Sequence, residues 1–145
     1  MSHARKDIRD SIVTAVTGLT TTGTRVYASR SYPLDDDNLP GLLVYTVSED
    51  IDEEEGKLAG IQHRSQIIIV EGYDKLTAGL DDKLDTIAEE IETAIFAATI
   101  PGSFGLDLLS TQADFEDGLE KTVGKITLTF QVQYLTEEGA PGTAL

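Results

Sequence analysis

The chain has 145 residues, 40% hydrophobic and 26% charged, with a formal net charge of −15 and no cysteine. That length suits one domain around a single core, and the composition excludes a disordered chain. The missing cysteines exclude disulfides, thiolate metal sites and Cys nucleophiles, and the acidic balance excludes tight wrapping of nucleic acid, which needs Lys and Arg against phosphate.

From the N-terminus, Ile8, Ile12, Ala15, Val16 and Leu19 recur at helical spacing and predict a helix over about 3–18, ending near Gly18. The stretch MSHARKDIRD has no apolar run of the kind a secretory signal needs, so a cytosolic, soluble product is expected. TTTGT at 20–24 reads as a turn, and a short strand is expected over Arg25–Ala28. SRSYPLDDDNLPG reads as a loop, its Asp and Asn side chains serving nearby backbone N–H groups. LLVYTVS at 42–48 reads as a strand, and IQHRSQIIIVEGY at about 61–72 as a second. An acidic, Gly-containing loop joins the two as a long hairpin.

Leu76, Leu80, Leu84, Ile87, Ile91 and Ile95 form one apolar stripe, which predicts a helix over 77–98 stopped by IPG. A strand follows at about 106–116, with a turn at 116–118. Ile126, Leu128, Phe130, Val132 and Tyr134 then alternate with Lys125, Thr127, Thr129, Gln131 and Gln133, so the last strand has one buried and one polar face. Residues 137–145, EEGAPGTAL, read as a flexible tail after a single domain over 1–136. The order α-β-β-β-α-β-β predicts an α+β fold: a mixed, mainly antiparallel sheet of about five strands with both helices on one face. The last strand should span about 43 Å at about 3.3 Å per residue, against about 33 Å for the long helix. Ile67, Ile68, Ile69 and Val70 put apolar groups on both sheet faces, so the second face needs cover from this chain or a neighbour.

Charge is uneven. Residues 1–30 hold Arg5, Lys6, Arg9, Arg25 and Arg30 against Asp7 and Asp10, a net +3, so the remaining 115 residues carry −18. EDIDEEE at 49–55 fails the calcium-loop register, because counting from Asp50 puts Gly56 one place late and Ile61 at position twelve. His63 stands alone on a strand, no G-x-S-x-G elbow is present, and GLTTTGT lacks a phosphate-loop Lys. No metal, cofactor or catalytic residue is therefore assigned, and no enzyme activity is expected. The candidate partner or subunit interface is Arg5, Lys6 and Arg9 on the first helix, with Glu49, Asp50, Asp52, Glu53, Glu54 and Glu55 in the acidic stretch. The basic face of one subunit would meet the acidic loop of the next and set register.

Three segments, HARKDIRDSIVTAV, LPGLLVYTVSEDIDEE and DFEDGLEKTVGKITLTFQVQY, resemble in order and size the tail terminator proteins of long-tailed bacteriophages, the lambda minor tail protein U type. The resemblance covers most of residues 3–135. It implies an α+β subunit without enzyme activity or cofactor that forms a hexameric ring at the head-proximal end of the virion tail. The ring caps the tail tube, stops its polymerisation and meets the head–tail connector, and DNA passes through without specific binding or any membrane. Alternative readings are a head–tail completion or tail tube subunit, a small acidic hydrolase, and a binding module for a basic partner.

Overall fold

The structure is a computed structural model and describes residues 2–28, 39–52, 60–76, 78–117 and 122–145. In chain order the elements are α1 (Ala4–Val16), β1 (Val26–Tyr27), β2 (Gly41–Asp52), β3 (Ile61–Leu76), α2 (Leu80–Ala97), β4 (Ser103–Asp117), β5 (Thr122–Glu137) and β6 (Ala140–Ala144). The six strands form one sheet in the order β1-β2-β3-β5-β4, with β6 paired to the end of β5. Only β1 and β2 run parallel, and every other pairing is antiparallel. The α+β class, the mixed sheet and the two helices are as the sequence pattern predicts, with one strand more.

Both helices bury the face that their spacing marks. In α1 this is Ala4, Ile8, Ile12 and Val16, each four residues from the last. In α2 it is Leu80, Leu84, Ile87, Ala88, Ile91 and Ile95. Leu76 leaves the predicted helical stripe, because it closes β3 opposite Thr122. α2 packs on β3 and β5, and α1 packs on α2, β1 and β2. The approach of α2 is close because Gly72 and Gly124 lack a side chain. A Cβ on Gly72 would lie 2.7 Å from Ile87, and one on Gly124 would lie 2.9 Å from both Leu80 and Leu84.

β5 alternates as its sequence demands. Ile126, Leu128, Phe130, Val132 and Tyr134 enter the core with Leu42, Val44, Ile68 and Val70 from β2 and β3. The opposite face presents Ile67, Ile69, Thr127, Thr129, Gln131 and Gln133, all half-buried. No described helix lies over it. Residues 140–144, expected as a flexible tail, form β6. Gly139, with φ of +79°, turns the chain back, and the Leu145 N–H then donates to the Leu135 carbonyl at 2.8 Å. Ala144 fills the space above Gly102, where a Cβ would come within 2.3 Å.

Candidate interaction surface and its two buried carboxylates

The sheet carries a buried glutamate on each face. Glu49 lies on the helix side because the pairing of β2 with β3 shifts between Thr46 and Ser48. Before the shift, Leu42, Val44 and Thr46 point toward the helices. Strict alternation would send Glu49 outward. The extra residue at the bulge, Val47, turns it inward instead.

There Glu49 meets two guanidinium groups. Its Oε1 accepts from Arg5 Nη1 at 3.0 Å and from Arg64 Nη1 at 2.8 Å, and its Oε2 accepts from the Tyr134 hydroxyl. Its side chain is only 5% exposed. Arg64 is fixed further by donating from Nε to Thr136 Oγ1 at 2.9 Å and from Nη2 to Gln62 Oε1 at 2.7 Å. Gln66, fully buried, donates to the Arg5 carbonyl at 3.0 Å and to Thr46 Oγ1 at 2.9 Å. The first turn of α1 is thus bolted to β2, β3 and β5 by charge-assisted bonds. His3 caps that turn, its Nδ1 accepting from the Arg5 backbone N–H at 3.0 Å. Burial, then the neighbouring Arg5 charge, lowers the His3 pKa, which favours the neutral ring, the form that can accept a hydrogen bond. Burial, then the bond to Glu49, raises the Tyr134 pKa.

Glu71 is the counterpart on the opposite face. Its carboxylate accepts from the Tyr45 hydroxyl and, at 2.8 Å, from the Tyr73 hydroxyl. Lys125 lies 3.4 Å from Oε2 with its own side chain 36% exposed. Burial, then Glu71, raises the Tyr73 pKa. Past this cluster, Tyr73, Val123 and Lys125 border an open groove with Asp114, Phe115 and Glu116 of β4.

The predicted interface residues occupy several places in the subunit. Arg5 pairs with Glu49 of its own chain, and Lys6 with its own Asp10 at 2.6 Å, both 48% exposed or more. Arg9 lies part-buried on α1, its Nε without a hydrogen-bond partner among the described residues. Asp50 is exposed on β2, and Asp52 ends that strand. Glu53, Glu54, Glu55 and the DDDN segment at 35–38 lie outside the described residues. Glu49 is therefore an internal ligand of α1 rather than a loop acid. His63 is buried against Phe104, with ring centroids 5.2 Å apart.

Sequence reasoning missed Arg64, Gln66, Tyr134 and Glu71. A signal existed for the first two, since they share the inward parity of Ile68 and Val70, where a polar side chain needs a partner. Among the described residues, no group of three or more His, Asp or Glu could hold a metal ion. No described helix is long and apolar enough to cross a membrane.

No protein-family model matches the sequence, and no curated protein matches it. Among solved structures, a chain from the virion of a native gene transfer agent particle is similar over 90% of this chain and 92% of its own. The TM-score is 0.42 and the identity 16%, a likeness that assigns no role.

Proposed function

We propose that this chain is a structural virion protein, a tail terminator of the kind its sequence resembles. Six copies would close into a ring that caps the tail tube, stops its growth and offers the head-joining surface. The observation that carries this reading is the one-sided construction of the subunit. Two helices cover one sheet face, while the face with Ile67 and Ile69 and the outer strand β4 have no described cover. A subunit of that design is completed by neighbours.

Two further features support the reading. A charge of −15 on every copy repels phosphate, which suits a passage for DNA that must slide. Glu49 and Glu71 lie on opposite faces, each engaged by cations and phenols, which supports a structural role for the buried acids.

Deleting the gene from the producing phage tests the role directly. A terminator loss gives tails that overgrow and fail to join heads. Loss of a tube subunit gives no tails, and tails of normal length that join heads would sink the proposal.

A further inference from the structure

β4 is the outermost strand of the sheet, and its outer edge has no partner among the described residues. Residues 109–116 are exposed throughout, with Leu109 at 51% and Phe115 at 48%. β4 carries neither Pro nor Lys, and its register shifts fall at 103/105 and 108/110, so residues 110–116 run on as regular strand. Three of its four acids, at 107, 114 and 116, pair across to Gln131, Lys125 and Val123, on the face away from the helices, and the fourth, Asp117, ends the strand opposite Thr122. The helix side of its second half, Thr111, Ala113 and Phe115, is exposed, because α2 packs chiefly on β3 and β5.

Among the described residues, the other edge of the sheet is open in a matching way. Among the described residues, β1 pairs with β2 at Leu42 and Leu43. Farther along, Val47 is 49% and Ile51 40% exposed, and Ser48 and Asp50 between them are exposed as well. Each step from β2 through β3 and β5 to β4 is antiparallel, so β2 and β4 run in opposite directions. A second copy added in the same orientation would therefore set its β2 antiparallel to β4. Its α1, which packs over β1 and β2, would arrive beside the bare helix side of β4.

We propose that the outer edge of β4 is a seam for a second copy of this chain, receiving residues 47–51 of that copy's β2 and continuing the sheet from subunit to subunit. Backbone hydrogen bonds and the exposed apolar groups at 47, 51, 109 and 115 hold it. The contact is head-to-tail, so each subunit uses a different edge on each side, the arrangement that closes rings. The seam deepens the ring reading and rests on it for closure at a fixed number of copies. Both edges carry acids, so rising salt should strengthen the contact by screening.

Light scattering on three proteins tests this: the wild-type chain, L109K/F115K and V47K/I51K, at about 0.05 and about 0.5 M salt, where screening lengths differ severalfold. The wild-type chain should form assemblies of several copies, more completely at the higher salt. Each variant alone should weigh 15.7 kDa, the mass of one chain. An equimolar mixture of the two keeps one intact seam and should stop at a pair, which also shows that both variants fold. If V47K/I51K pairs with itself, the contact is a symmetric β4–β4 one and the proposal is overturned. Wild-type assembly by both variants overturns the seam and leaves the ring intact. A wild-type monomer under every condition overturns the seam as well, and the gene deletion then decides the terminator role separately.

Discussion

Glu49 and Glu71 are the same residue, each in a long strand and nearly shielded from water. Glu49 sits under α1 between two arginines, one of them only 11% exposed, and a buried tyrosine. Glu71 sits on the face that no described helix covers, under two tyrosines and beside a lysine that keeps much of its contact with water. The first joins elements distant in sequence, since residues 5, 49, 64 and 134 meet at one carboxylate. The second joins neighbours within the sheet. Burial of a charge thus marks an obligatory brace in one region and a surface anchor in the other. What decides is whether the counter-charge can return to water when the acid is removed.

The sharpest way to break this comparison is to delete both acids in turn. Glu49→Ala should destabilise the fold by about 3–5 kcal/mol, because Arg64 is left buried without its anion. Urea unfolding reads the change, and a loss as small as that of an exposed ion pair would refute the brace. Glu71→Gln should cost about 1–2 kcal/mol, since Lys125 regains its water and the amide still accepts from one phenol. Equal losses in both variants would erase the distinction.

The phenols sharpen it next. Tyr73 and Tyr134 have raised pKa values, chiefly from burial. A tyrosine whose folded pKa is raised contributes stability in full below its unfolded value of about 10 and loses it as pH rises further. With no tryptophan in the chain, absorbance of tyrosinate follows the five tyrosines directly. At least two should stay protonated near pH 11 while the far-ultraviolet spectrum remains native; complete ionisation in one step near pH 10 would count against both clusters.

The smallest effect belongs to His3. Its pKa is lowered in the folded chain, so its contribution is full above the unfolded value of about 6.5 and is lost as pH falls. His3→Ser keeps a cap acceptor that does not titrate. The melting temperature of this variant should fall less than that of the wild type between about pH 7 and pH 5. An unchanged slope would show that the histidine cap is not a titrating part of the Glu49 brace.

Much of this was legible along the chain. The three-to-four-residue spacing in α1 and α2 and the period of two in β5 are local properties, and each fixes which side chains face inward before any contact forms. With the apolar runs at 42–48 and 61–72, they suffice for the element order as far as β5 and for most of the core. The candidate interface was not legible in the same way. Arg5, Lys6 and Glu49 look like free charges in sequence, and only folding pairs Arg5 with Glu49 within one chain. β6 escaped notice because APGTA has little strand character of its own and gains its place by pairing with the end of β5.

The deepest difference lies at Val47. Sequence determines that β2 alternates, but a bulge exists only relative to a partner strand, where one residue of β2 finds no opposite number in β3. That single slip reverses the parity of everything after it. It carries Glu49 from solvent to the two arginines, and so the tertiary pairing, not the residue type, made this acid a brace.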